Sequence, residues 1–381
     1  MKLIRKHLPV RAAGLFIASL FVLPSIIGPV SVAAASGPLD GFFGHSPFHI
    51  RTHSTASPVG LDPATIKAVY GLTNAGTGHG TIAIVDAYDA PTAQADLNTF
   101  STQYNLPLCN TTNPCFEKHA MSSFIKADSG WAVEASLDTQ WAHAIAPGAK
   151  ILLVEAKSAS LNDLINAVNY ARGRSDVVAV SMSWGGGEFW SETLYDKYFT
   201  SSYGASFFAS SGDSGTGVSW PAVSPNVVGV GGTTLNLAAD KSLVSESAWS
   251  GSGGGVSSYE TRPSYQTAYG LTKTKRSVPD VSYDADPASG VAVYDTTPYQ
   301  GQTGWYQVGG TSAGAPQWAA IRALGTGVTN TKLYQDATLV NSAAFFRDIT
   351  SGTNGLCGAV CTAAAGYDTV TGLGSPLTTV F

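Results

Sequence analysis

Charged side chains are scarce in this 381-residue chain: they make up 12% of it, and Lys and Arg together number 21. The net charge of −5, with no basic cluster beyond the N-terminus, leaves no electrostatic footprint for nucleic acid. Few cations also mean little positive self-repulsion when carboxylates protonate, which suits a protein that works in acid. Cysteine is limited to Cys109, Cys115, Cys357 and Cys361. In an exported chain, Cys109–Cys115 and Cys357–Cys361 are the simplest of three connectivities. Only one apolar run is long enough to span a membrane, Ala12 to Val32. It follows Lys2, Arg5, Lys6 and Arg11 and precedes Ala33-Ala34-Ala35-Ser36, the pattern of a cleaved export signal. Pro24, Gly28 and Pro29 interrupt it, so the expectation is a secreted chain without a stable membrane anchor.

Apolar residues make up 44% of the chain, enough for a proper core, and the 42 glycines point to many tight turns. The stretch from Ser36 to Pro58 lacks periodicity and reads as a linker or short pro-segment. Asp62-Pro63 signals a helix start. Beyond it, continuous apolar runs alternate with helical patterns. The runs are Thr81–Val85, Lys150–Val154, Val177–Ser181, Ala205–Ala209 and Val227–Val230; helices are expected over Ala90–Tyr104 and Leu161–Gly173. This order predicts an α/β fold with a mostly parallel central sheet and helices on both faces. Sites in such folds lie at the carboxyl ends of the strands.

Three segments carry chemistry. Ser312 lies in Val308-Gly-Gly-Thr-Ser-Ala-Gly-Ala-Pro316, ahead of a helical stretch over Gln317–Leu324. A serine at a glycine-rich turn into a helix is placed for nucleophilic attack, and the helix N-terminus favours developing negative charge. A plain helix-capping serine fits the local sequence equally well. In the helix expected after Ser129, its N-cap, Trp131, Glu134, Asp138 and Trp141 share one face. Two carboxylates four residues apart beside tryptophans would, if buried, have raised and split pKa values, as a general base and its support require; taken alone, the segment reads more readily as a solvated acidic face with the tryptophans incidental. Asp213, in Ser-Gly-Asp-Ser-Gly, is a turn residue or faces a site from a strand end.

Taken together, these three motifs resemble the sedolisins, the serine-carboxyl peptidases, a branch of the subtilisin-like fold. Ala142-His-Ala-Ile-Ala-Pro-Gly-Ala149, Ser181-Met-Ser-Trp-Gly185 and Trp220-Pro-Ala-Val-Ser-Pro-Asn-Val-Val-Gly-Val-Gly-Gly232 agree with the same family. Beside the export pattern over 1–35 and the linker or short pro-segment over 36–60, the resemblance implies a peptidase domain over 61–381. It implies a secreted, monomeric endopeptidase acting on proteins or peptides with an acidic optimum. Ser312 would be the nucleophile, Glu134 the general base, Asp138 its support and Asp213 a protonated oxyanion donor where subtilisins use asparagine. Asp86 would support the Glu134–Asp138 pair from behind, and Ser183, Trp184 and Gly185 would contact the substrate backbone. One structural calcium ion would be held by carboxylates of Asp348 and Asp368 and carbonyls of Ile349, Ala364 and Gly366. Sedolisins usually carry glycine at the position of Ala364. They also usually carry a long folded pro-domain, so the short span from Ser36 to Pro58 implies folding without one, or a pro-domain supplied by a partner. Two other readings stand beside this one: an ordinary subtilisin using His143 as base, and an inactive peptidase fold serving as a binding module.

Overall fold

The computed structural model describes residues 39, 41–325, 327–339, 342–378 and 381; the expected export signal lies outside them. In chain order the regular elements that frame the site are β1 (His49–Ser54), α1 (Pro63–Val69), β2 (Thr81–Ala87), α2 (Ala93–Gln103), β3 (Phe116–Ala120), α3 (Ser129–Ile145), β4 (Lys150–Ala156), α4 (Leu161–Arg172) and β5 (Val177–Met182). After these come β6 (Ser206–Ser210), β7 (Val227–Leu237), β8 (Leu243–Ala248), β9 (Gly255–Thr261), α5 (Ser264–Tyr269), β10 (Lys275–Val278) and β11 (Val281–Asp284). The last are β12 (Val291–Tyr299), β13 (Gln302–Gly309), α6 (Gly314–Ala323) and α7 (Asn330–Ala337).

The main sheet has eight strands, in the order β11-β7-β6-β5-β2-β4-β3, with β8 paired to β7. Every pairing in it is parallel except β7 with β8. The expected architecture therefore holds, and α/β crossovers account for it. Strand β2 shows why its sequence is apolar without interruption. Ile82 and Ile84 pack into the core that contains Trp141 and Trp318, on the α3 and α6 side. Ala83, Val85 and Ala87 pack into the opposite core, with Leu164 and Val168 of α4. Both faces are covered, so no position in the strand is left for a solvated residue. Asp86 alternates with Ile82 and Ile84, which aims its carboxyl at the α3 side.

Helix α3 runs through the middle of the molecule, and every residue from Trp131 to Ile145 is buried. Its N-cap is Asp128, not Ser129. Asp128 has extended backbone, and its carboxylate accepts from the Gly130 and Trp131 amides at 3.0 Å each. An aspartate binds two N–H groups more strongly than a hydroxyl, so the helix starts at Ser129, one residue earlier than Ser129 capping required. Asp62 caps α1 with Pro63 in the first turn, as the sequence suggested.

The stretch read as an unpaired linker carries β1, which pairs antiparallel with β13 in a small sheet of order β1-β13-β12. Most β1 side chains are exposed or half-buried, so backbone pairing holds it and the sequence shows no apolar alternation. No helix among the described residues is long and apolar enough to cross a membrane.

One buried ion pair ties the far side of the sheet together. The Arg276 guanidinium, fully buried, donates to Asp280 at 2.6 and 3.0 Å and to the Val227 carbonyl at 2.9 Å. Asp280 also accepts from the Gly229 amide at 2.8 Å and the Tyr334 hydroxyl at 3.0 Å. Breaking such a pair strands the partner's charge. Asp280→Ala is expected to cost about 3–5 kcal/mol, read as a lower urea midpoint at unchanged slope; a shift under about 1 kcal/mol would contradict the account.

Candidate active site

Ser312 follows β13 on a short 3-10 turn, Thr311–Ala313, that runs into α6. Gly310 makes the turn possible, with a φ of 120°. A Cβ there would also meet the Pro47 carbonyl oxygen at 2.2 Å and Asp213 Oδ2 at 2.6 Å. Helix α3 brings Glu134 to the same place: Ser312 Oγ lies 3.2 Å from Glu134 Oε2. The Ser312 hydroxyl also donates to the Pro47 carbonyl. One turn further along α3, Asp138 Oδ1 accepts from Ser183 Oγ at 2.9 Å, and that hydroxyl lies 3.2 Å from the Ser312 carbonyl. Ser183 thus links the turn that carries Ser312 to the supporting carboxyl.

Asp86, Glu134 and Asp138 are all buried to about 1% exposure or less. Both Asp86 oxygens, Glu134 Oε1 and Asp138 Oδ2 have no hydrogen-bond partner. Among the described residues no lysine, arginine or histidine pairs with any of the three. Burial raises Glu134 and Asp138 well above the ordinary carboxylate range, and the charge of Asp86 pushes both further. Burial, then the charge of Glu155, raises Asp86 to about 8. Carboxyl groups so close, with no cation, share protons.

Asp213 stands on the other side of Ser312, in the turn after β6. Its Oδ1 accepts from the Thr311 amide at 2.8 Å and the Thr311 hydroxyl at 2.7 Å. Two donors on Oδ1 fix it as the acceptor and leave Oδ2 to carry a proton. Burial raises the Asp213 pKa, and His49, whose Nε2 lies 3.2 Å from Oδ2, pulls it back. The same contact raises the pKa of His49.

All four residues assigned catalytic roles by the sequence therefore come together. The expected substrate contacts divide. The Trp184 indole is buried and donates to the Val85 carbonyl at 2.9 Å, so its ring supports β2 and does not line the cleft. The Ser183 side chain faces Asp138. Gly185 lines the cleft and exchanges backbone hydrogen bonds with His45 at 2.9 and 3.0 Å. Sequence reasoning missed Ser46, His49 and Thr311. Ser46 Oγ donates to Glu134 Oε2 at 2.6 Å. Nothing in the spacing of His45-Ser-Pro-Phe-His49 signals these contacts, since they depend on a chain segment more than eighty residues away from α3.

His143 is elsewhere. Its Nε2 lies 2.8 Å from the Pro107 carbonyl, burial lowers its pKa, and it packs near Cys109 and Cys115. Those sulfurs are bonded to each other, as are Cys357 and Cys361, so no thiolate is offered to a metal beside His143. The two chain segments expected to hold calcium adjoin: Asp348 accepts from the Gly366 amide at 2.9 Å, and Asp368 from the Ala364 amide at 3.0 Å. Ala364 is not among the non-glycine residues with positive φ, so its side chain brings no backbone strain to that position. Burial raises the Asp368 pKa, a shift that a bound cation would oppose. Carboxylate and carbonyl oxygens are the donor type that calcium takes.

The Subtilase family profile matches residues 129–358. Sedolisin from Pseudomonas sp. (strain 101) is 29% identical, over 85% of this chain and 61% of its own length. Kumamolisin from Bacillus sp. (strain MN-32) is 35% identical, over 64% of this chain and 49% of its own length. The chain thus spans about half to three-fifths of these relatives. The solved structure of Pseudomonas sedolisin, a serine-carboxyl proteinase complexed with pseudo-iodotyrostatin, superposes with a TM-score of 0.70 at 27% identity. The alignment covers 84% of this chain and 96% of that one. Sphericase shares the fold, with a TM-score of 0.52 at 17% identity over 85% of this chain and 99% of that one.

The buried carboxyls set the sign of the stability–pH relation. Unfolded, they titrate near ~4. Folded, burial holds Asp86 protonated to about 8, Glu260 to about 8 and Glu192 to about 9. Between these limits the native chain binds more protons than the unfolded one, so stability is greatest in acid and falls as pH rises toward 8 or 9. At fixed calcium, Tm at pH 4 should exceed Tm at pH 8 by on the order of 5 °C, and Asp86→Asn should reduce the difference. A higher Tm at pH 8 would contradict this.

Proposed function

Since the chain belongs to the subtilase family and to its sedolisin branch, we propose that it is a secreted serine-carboxyl endopeptidase that hydrolyses proteins or peptides in acid. The observation that carries this reading is the approach of Ser312 Oγ to Glu134 Oε2, at 3.2 Å, where a histidine-based enzyme would need an imidazole.

The geometry supports a role for each group. Glu134 takes the Ser312 proton as Oγ attacks the scissile carbonyl, then returns it to the leaving amine. Asp138 lies one helical turn away and shares the cluster's protons and charge with Glu134; Ser183 orients it. Asp86, without a hydrogen-bonding partner, raises the proton affinity of both. A base with raised affinity is stronger once ionised, and one negative charge shared among three carboxyls provides it. Asp213, protonated at Oδ2, donates to the oxyanion. Substrate backbone pairs with Gly185. These demands oppose one another: the cluster must give up one proton while Asp213 keeps its own, which confines activity to acid. Asp348, Asp368 and the carbonyls of Ile349, Ala364 and Gly366 would hold a calcium ion that clamps the C-terminal loops, away from the chemistry.

On a denatured protein substrate at acidic pH, Ser312→Ala and Glu134→Gln should each lose roughly 10³-fold or more in kcat/KM. His143→Ala should keep activity in its folded fraction. Activity surviving Glu134→Gln but lost in His143→Ala would establish a histidine-based enzyme instead, and an inert wild type unaffected by Ser312→Ala would favour a binding module. Removing calcium with a chelator should lower Tm, added calcium should restore it, and Asp348→Asn should abolish the response. A Tm indifferent to both would overturn the calcium assignment.

A further inference from the structure

The segment between β5 and β6 carries Gly185, the backbone that the proposed function gives to a peptide substrate. Gly186 and Trp220 exchange backbone hydrogen bonds at 2.9 Å each, and Gly187 also lines the cleft. From there the chain runs through Glu188 and Phe189 into a 3-10 helix, Glu192–Phe199, that lies against β9. Carboxyl groups join this segment to β9. Glu188 accepts from the Ser257 hydroxyl and, at 3.0 Å, from the Ser258 amide. Glu192 turns back on the same stretch: its Oε2 accepts from the Phe189 amide at 2.9 Å, and its carboxyl faces that of Glu188. Asp196 accepts from the Ser224 hydroxyl at 2.6 Å and faces the carboxyl of Glu260 on β9.

Glu192 and Glu260 are buried, and Oε1 of each receives no hydrogen bond from any N–H or O–H group. An ionised carboxylate in that position, turned toward a second carboxylate, is desolvated, unpaired and repelled. The surroundings give little relief. Arg276, from β10, is the cation that acts on Asp196 and Glu260, and it already binds Asp280 at 2.6 and 3.0 Å. Lys197 turns to the Tyr198 ring, Lys275 to the Tyr259 carbonyl and Arg262 to the Leu271 carbonyl. Tyr265, from α5, faces Asp196 and Glu260 as a neutral phenol, its pKa raised by burial. A proton on each of the two glutamic acids removes the conflict and makes each a donor to its neighbour. Burial above all keeps the proton there, to about 9 for Glu192 and about 8 for Glu260. Glu188 and Asp196, which accept from serine hydroxyls, are then the acceptors.

We propose that Glu192 and Glu260 are positioning residues for the peptidase reaction: as protonated donors to Glu188 and Asp196 they clamp the 186–199 segment to β9 and so hold the Gly185 edge in line for substrate. Glu260 ties the segment to β9 directly, and Glu192 holds Glu188 toward Ser257 and Ser258. The inference rests on the peptidase reading for what Gly185 does, and adds to it two residues outside the carboxyl group around Ser312. The clamp holds through acid and neutral pH. It lets go as the pH passes about 8 and then about 9, where Glu260 and Glu192 lose their protons. Each loss replaces a charge-assisted hydrogen bond by a repulsion. Glutamine offers the same kind of donor and cannot ionise, so it separates a lost proton from a lost side chain.

Amide hydrogen exchange, corrected for the intrinsic effect of pH, is followed in full-length Ser312→Ala, with and without Glu192→Gln and Glu260→Gln together. Between pH 5 and pH 9 the protection of residues 186–199 should fall about tenfold or more in the first chain, the worth of one hydrogen bond to a charged group. Helix α2 and strand β12 should keep theirs, and the two glutamines should abolish the fall. No fall, a fall that survives the glutamines, or one shared equally by α2 and β12 overturns the inference. On a peptide substrate at acidic pH, in chains whose circular dichroism is native, Glu260→Ala should show a KM about tenfold above that of Glu260→Gln, with kcat alike. Equal KM values overturn the positioning role. A chain inert toward every substrate defeats the peptidase reading, while the exchange experiment still decides the clamp.

Discussion

Three carboxyl groups, those of Asp86, Glu134 and Asp138, are packed between β2 and α3 with no cation to balance them, and much of the surrounding structure follows from keeping them there. The alternation of β2 aims Asp86 at α3, because its neighbours Val85 and Ala87 are committed to the opposite core. The four-residue spacing on α3 puts Glu134 and Asp138 on the face that meets Asp86. The helix is secured at its start by Asp128 and buried along nearly its whole length, so neither carboxyl can swing to water. Ionising all three in such surroundings would cost far more than the fold has to give; holding protons costs much less. Proton sharing is thus a condition of folding before it is a feature of chemistry.

The sheet places the remaining groups. Asp86 is near the carboxyl end of β2, Ser183 follows β5 and Asp213 follows β6, which are neighbours in the order β6-β5-β2. Parallel strands bring these ends to one edge, where crevices of open α/β sheets lie. Ser312 arrives from a separate antiparallel sheet through Gly310. The site therefore joins two sheets, and β1, the outer strand of the smaller one, carries His49 to Asp213.

The parallel sheet was legible because β2, β4, β5 and β6 are covered on both faces and so have unbroken apolar sequences. Ser312, Glu134, Asp138 and Asp213 were legible because each lies in a local motif and the motifs occur together. Asp86 was placed by its position at a strand end, and it lies near the carboxyl end of β2. What escaped was held by contacts distant in sequence. Trp184 sits in a motif associated with the cleft, yet its ring is buried behind β2, since a large apolar side chain next to Val85 gains more from the core. Ser46 and His49 belong to a stretch whose side chains are mostly exposed and whose order comes from backbone pairing, which leaves no periodicity to read. His143 is distant in sequence from both disulfides but near one of them in space.

The central claim is that a serine is served by carboxyls whose protons are shared, opposite an aspartic acid that must stay protonated. The pH dependence of kcat/KM for one peptide substrate tests it most directly. The account predicts a bell confined to acid, its upper limb falling as Asp213 loses its proton. A rate that instead rises through neutral pH to a plateau would contradict it.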